Sequence, residues 1–161
     1  FDADSDLALL SMKNEGPFSV AKIATAEQAA NMRAFDPVFA VGCPLGNEPI
    51  PTFGIVSDPT HIIDGHQYMM VSSPTYIGNS GGAIFSGYEN GFRLVGLFSK
   101  IYTHGAIRPE IVTHMGLSTS MVEGQRFLAE AGYAVNDNGE LVKVIRPDLL
   151  TILEGINTLI K

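Results

Sequence analysis

The chain has no tryptophan, a single cysteine and few cations: Lys and Arg number 10 against 17 Asp and Glu, a net charge of −7 over 161 residues. With Cys43 alone, neither an intrachain disulfide nor a cysteine zinc site is available, so stability has to come from packing. The ten cations are scattered singly, which leaves no basic surface for a phosphate backbone and argues against nucleic acid as a partner. No apolar run approaches the roughly 18 residues that span a bilayer, and Phe1-Asp2-Ala3-Asp4 is no signal sequence, so the sequence predicts no membrane segment. Long amphipathic repeats and low-complexity tracts are also missing.

What is present is turn chemistry between short apolar runs. Hydrophobic residues make up 45% of the chain and charged residues 17%, with 17 Gly and 9 Pro, a composition that suits many short strands better than a helical bundle. The strand-like runs are 7–12, 38–41, 52–56, 68–72, 83–85, 94–102 and 111–117. Gly42-Cys43-Pro44-Leu45-Gly46, Asp58-Pro59, Asp64-Gly65 and Glu89-Asn90-Gly91 punctuate them. This spacing predicts a closed barrel or a sandwich. After the last strand, Ser120 and Glu123 stand at capping-box spacing before an apolar helical face that Gly132 ends. Asn136-Asp137-Asn138-Gly139 predicts a hairpin turn. The run Leu149, Ile152, Leu153, Ile156, Leu159, Ile160 predicts an amphipathic helix whose stripe is buried on the domain or on a partner, a second copy included.

The chemically loudest stretch is Gly78-Asn79-Ser80-Gly81-Gly82. Acyl transfer needs a hydroxyl at a sharp turn with two amide N–H groups aimed at the oxygen of a tetrahedral intermediate, and glycine permits that backbone. Gly78 and Ser80 are the candidate donors. By itself the pentapeptide is equally a tight turn or a phosphate-cradling loop, although no Lys-Ser or Lys-Thr pair follows it.

Three motifs occur in one order: the turn 42–46 followed by Gly54-Ile55-Val56-Ser57, the pentapeptide around Ser80, and the hairpin 83–99 after it. Together with Asp6-Leu7-Ala8-Leu9-Leu10, they make residues 5–132 resemble the trypsin-like serine peptidases, in particular their HtrA-like branch. The resemblance implies a mostly β double six-stranded barrel, the first barrel incomplete here, over residues 1–132, with a short hairpin-plus-helix extension over 133–161. It implies Ser80 as nucleophile, Asp6 as the acid that orients the base (Asp4 being its rival), an oxyanion hole from Gly78 and Ser80, and Ser99 as the hydroxyl supporting the aspartate. It places the substrate pocket at Pro74, Thr75, Tyr76 and Ile77, at Lys100 and Ile101 beside Ser99, and at His114 to Leu117. Pro74 stands where enzymes that cut after Lys or Arg carry an acid, and Phe98 where glutamate-specific relatives carry a histidine, so the implied substrate is a polypeptide with an apolar or small residue before the cut. No cofactor and no metal are implied.

The family's catalytic histidine precedes its aspartate, and only five residues precede Asp6. The expectation is that the base comes from a separate or missing N-terminal fragment; the alternative is an inactive relative serving as a peptide-binding or assembly module. His61 and His66 flank a turn, and nothing in the sequence brings His104 or His114 to Ser80.

Overall fold

The computed structural model describes residues 1–13 and 16–144. A short helix α1 (Ala26–Ala30) is followed by β1 (Pro37–Gly42), β2 (Ile50–Ile63), β3 (His66–Val71), β4 (Ala83–Tyr88), β5 (Gly91–His104) and β6 (Glu110–Ser120). Helix α2 (Met121–Glu130) and a small hairpin, β7 (Tyr133–Val135) with β8 (Leu141–Lys143), complete the described chain. The six longer strands close into an antiparallel barrel in the order β1-β2-β3-β6-β5-β4, with β4 returning to β1.

Alternation decides which residues fill it. Along β1, Val38 and Ala40 point inward and Phe39 outward, and Val56, Met69, Val71, Ile84, Val95 and Phe98 join them in one core. Met121 and Leu128 of α2, with Ala29 and Met32 from the α1 region, pack on that core. Removing each of the Val, Ile, Leu, Met and Phe side chains from water contributes about 1.5–3 kcal/mol, the alanines less. Outside, Phe39 makes edge-to-face contacts with Phe53 and Phe92, ring centroids 5.2 Å apart in both pairs.

The turns follow their residues. Asp64 (φ 52°) and Gly65 (φ 83°) both adopt the left-handed region, as a two-residue hairpin between β2 and β3 requires. Asn136 Oδ1 accepts the N–H groups of Asn138 and Glu140, which folds the turn between β7 and β8. Gly54 is needed for close approach: a Cβ there would lie 2.3 Å from Ser73 N, a backbone atom.

Several expectations are corrected. Residues 7–12 form no strand; only Leu7 is paired, in an isolated bridge with Asp2. Asp58-Pro59 is no turn but lies within β2, where the register slips between Val56 and Asp58 and again before His61. A bulge absorbs the proline that a regular ladder would reject. Ser120 precedes α2 without a side-chain cap bond, and the Glu123 carboxylate that would complete a capping box bonds Arg126 instead. The reciprocal capping box belongs to α1, unforeseen, where Thr25 Oγ1 accepts from Gln28 N and Gln28 Oε1 from Thr25 N. The one closed barrel among the described residues agrees with the expected fold, in which the first barrel is incomplete, and the amphipathic run 149–160 lies outside the described residues.

Candidate active site

Ser80 is exposed on the loop between β3 and β4, at the start of the approach to the barrel wall. The amides of this loop divide into two sets. Asn79 N donates to Tyr76 O (3.1 Å), Gly81 N to Phe98 O (2.8 Å) and Gly82 N to Asn79 O (2.8 Å). Between them, the amides of Gly78 and Ser80 have no acceptor among the described residues, and Gly78 takes φ 100°. Two donors without an acceptor thus stand beside the exposed serine hydroxyl.

Asp6 is tied to β5, the strand that also binds the Ser80 loop. Asp2 and Leu7 exchange backbone hydrogen bonds (2.8 and 3.1 Å), closing a loop in which Asp6 takes φ 55°. Thr119 Oγ1 of β6 donates to Ser5 O (2.8 Å), and Ser99 Oγ of β5 donates to Asp6 Oδ2 (2.7 Å). Asp6 is exposed, and Oδ1 has no partner among the described residues, leaving it open to an N–H donor. The serine loop is strapped to Phe98 through Gly81 N and through Phe98 N to Gly82 O (2.9 Å). Hydroxyl loop and carboxylate are therefore anchored at consecutive residues of one strand, Phe98 and Ser99.

The Asp6 loop is itself held by a carboxylate. Asp2 accepts from Ser5 Oγ and Asp4 N, with Arg126 Nη2 at 3.6 Å. The Ser5 bond first, then the Asp4 amide and the Arg126 charge, hold the Asp2 pKa below its ordinary value against an opposing desolvation. A depressed folded pKa means that this stabilisation is full above the unfolded value near ~3.9 and is lost as pH falls through the folded one. In an acid titration followed by the Asp4 and Leu7 amide shifts, the midpoint is expected below ordinary aspartate and absent in Asp2→Asn. A midpoint at the ordinary value would show that the carboxylate does not hold the loop.

The expected pocket residues separate into groups. Thr75 is buried, its N–H bound to Thr113 O (2.7 Å) and its hydroxyl to Ser73 O (2.9 Å). A Cβ on Gly116 would lie 2.4 Å from Thr75 Oγ1 and 2.7 Å from Phe98 Cε1, so the space between β5 and β6 is filled by the Phe98 ring. Ile101 pairs with Gly116 beside it, Pro74 is half-buried, and Tyr76 and Ile77 are exposed. Leu117 instead packs with Tyr68 and Met70, and Lys100 Nζ sits 5.0 Å over the Tyr68 ring. His114 is exposed next to Thr113.

No described histidine contacts Asp6 or Ser80. His61 Nδ1 bonds Asp58 Oδ2 (3.1 Å), His104 pairs across the ladder with Glu110, and His66 lines a shallow cleft of about 230 Å³ with Asp4, Ser5 and Tyr68. Lys100 is no substitute base: its interaction with the Tyr68 side chain, then the charges of Asp6 and Asp64, raise its pKa despite desolvation, and a more firmly protonated amine cannot accept the serine proton. Among the described residues no three His, Cys, Asp or Glu side chains stand close enough to hold a metal ion.

The sequence profile of the trypsin-like peptidase domain matches residues 1–97, which include both Asp6 and the Ser80 loop. The chain belongs to the trypsin-like peptidase domain family. No curated protein matches it. Among solved structures, the HtrA-type protease AlgW in a serine-to-alanine variant with a tripeptide is similar at TM-score 0.56 and 17% identity, over 87% of this chain and 46% of that one. AlgW with a decapeptide is similar at TM-score 0.52 and 21% identity, over 83% and 40%, and its variant with the decapeptide at 0.52 and 19% over the same shares. The likeness is one of fold, and this trypsin-like chain spans less than half the length of those structures.

Thr119, which ties down the Asp6 loop, had no signal in the sequence, and Asn79, 5% exposed with Oδ1 unpaired, stands there only as one member of the Ser80 pentapeptide. The glycines at 42 and 82 did: a Cβ on Gly42 would lie 3.0 Å from Asn79 Oδ1, and one on Gly82 would lie 2.7 Å from Val41 O. The turn 42–46 and the Ser80 loop touch backbone to backbone.

Proposed function

We propose that this chain carries the serine and aspartate of a serine endopeptidase whose imidazole base is supplied by an N-terminal segment not contained in this sequence or by a separate chain. The observation that carries the reading is the common anchoring of the two groups, with the Ser80 loop bound to Phe98 and the Asp6 carboxylate bound to Ser99. The incoming imidazole donates one N–H to Asp6 Oδ1, which orients it and stabilises its charged form, and its other nitrogen takes the Ser80 proton as Oγ attacks the scissile carbonyl. The carbonyl oxygen becomes an oxyanion bound by the Gly78 and Ser80 amides. The intermediate collapses to an acyl-enzyme on Ser80 as the imidazolium gives its proton to the leaving amine. Water then reverses the sequence, releasing the acid and restoring the hydroxyl.

The peptides in the AlgW structures support a polypeptide as the ligand class. Phe98, 3% exposed against Gly116 and Thr75, leaves little depth beneath the cleft, which supports a small residue before the cut bond. A charged residue there would lose hydration without a partner, at a cost of several kcal/mol, on the order of that for any unpaired buried ion.

A second reading, a noncatalytic peptide-binding or assembly module, is favoured by one observation: no described histidine touches Asp6 or Ser80. A fluorophosphonate probe decides between them. Covalent labelling of Ser80 in the native preparation, located by peptide mass spectrometry, is the result expected of a peptidase; absence of labelling with every chain accounted for overturns it.

A further inference from the structure

The turn that docks on the Ser80 loop contains a leucine in an unfavourable conformation. Leu45 takes φ 56° and ψ 24°, the left-handed region that costs a residue with a side chain, yet its side chain is 74% exposed and packs little. What the conformation delivers is a backbone donor: Leu45 N bonds Ile77 O at 2.8 Å. The turn behind it is braced, with Gly46 N on Cys43 O (3.1 Å) and both the backbone N (3.1 Å) and side-chain Nδ2 (2.8 Å) of Asn47 on Pro44 O.

Ile77 O and the Gly78 N–H belong to one planar trans peptide and point in opposite directions. With the oxygen held on the turn, the N–H faces away from it. Gly78 lies so close to the turn that a Cβ would sit 2.6 Å from Cys43 O and 2.8 Å from Leu45 N, so the peptide cannot rotate without breaking the contact. We propose that the Leu45 N–H is a latch that holds the Ile77–Gly78 peptide with its Gly78 N–H turned into the cleft, which makes Leu45 a positioning residue for the oxyanion site. Leu45 acts through its backbone and touches no reacting atom. This inference rests on the peptidase reading given above.

The test uses the complete protein with its base-bearing partner, and the fluorophosphonate probe together with a peptide substrate. Leu45→Gly keeps the donor and relieves the left-handed strain, so labelling rate and kcat should stay within about twofold of the wild type. Leu45→Pro has no N–H and a φ fixed near −65°, so kcat and labelling should fall by about 100-fold, as for loss of one oxyanion donor, with KM unchanged. A folded Leu45→Pro protein that labels at the wild-type rate overturns the latch and leaves the peptidase reading standing. Failure of the wild type to label overturns the peptidase reading. If Leu45→Pro does not fold, or if the wild type does not label, amide hydrogen exchange on the wild-type chain decides the geometry. A protected Leu45 amide beside an unprotected Gly78 amide upholds the latch; an unprotected Leu45 amide overturns it.

Discussion

Replacing Ser80 by alanine in the complete protein is expected to lower kcat for peptide hydrolysis by about a million-fold and to abolish fluorophosphonate labelling, with KM little changed. The size of the effect follows from the chemistry: without the hydroxyl no acyl-enzyme forms, and only binding and the amides of Gly78 and Ser80 remain to act on the carbonyl. Asp6→Asn should cost about 10⁴-fold, because an amide at that position favours the wrong imidazole tautomer while leaving the geometry intact. Ser99→Ala should cost less than either, since it removes one bond of 2.7 Å to Oδ2 and leaves the Asp2–Leu7 backbone pair and the Thr119 bond to hold the loop. Steady-state kinetics of the three variants beside the wild type checks this order. If Asp6→Asn were as active as the wild type, the aspartate would have no part in orienting the base.

Phe98→Ala is expected to have the largest effect on stability, about 3–5 kcal/mol, the usual cost of truncating a buried aromatic side chain. The ring is 3% exposed within the main core, and its backbone carries the strap to Gly81 and Gly82. The same substitution should open the space against Gly116 and Thr75, shifting preference before the cut bond from small residues toward larger apolar ones. Phe98→Leu separates the two effects, since it keeps most of the volume and should cost under about 1.5 kcal/mol if the core repacks around it. The measurements are denaturant unfolding for stability and kcat/KM on a peptide series that varies only the residue before the cleaved bond. A Phe98→Ala protein with unchanged preference would show that the ring is core alone and sets no limit on the substrate.

The strands, most of the turns and the Ser80 loop could be read from the sequence because each is a local requirement. Alternation in β1 chooses its inward face, and Asp64-Gly65 is a pair of residues suited to a two-residue hairpin. The misreadings are also local. The run 7–12 has strand composition, yet among the described residues nothing pairs with it beyond the Asp2–Leu7 bridge, because a strand is defined by its neighbour and not by its own residues. Asp58-Pro59 has turn composition, yet the long β2 carries it through a bulge, a choice made by the register with β3. At Ser120, Arg126 takes the glutamate on which a capping box would depend.

By itself, the sequence determined that this is a β-rich domain with a serine on a glycine-rich loop, since glycine, proline and the two-residue period constrain the backbone within a few residues of where they stand. The resemblance to trypsin-like peptidases named Ser99 as the support of Asp6, but only the tertiary structure decided by which bonds the two are held together across 93 residues of chain, that the Gly78 and Ser80 amides have no acceptor among the described residues, and that the turn 42–46 bonds the peptide before Gly78. Those are matters of barrel closure and strand register, where a shift of one residue turns a side chain to the opposite face and moves each donor to another acceptor.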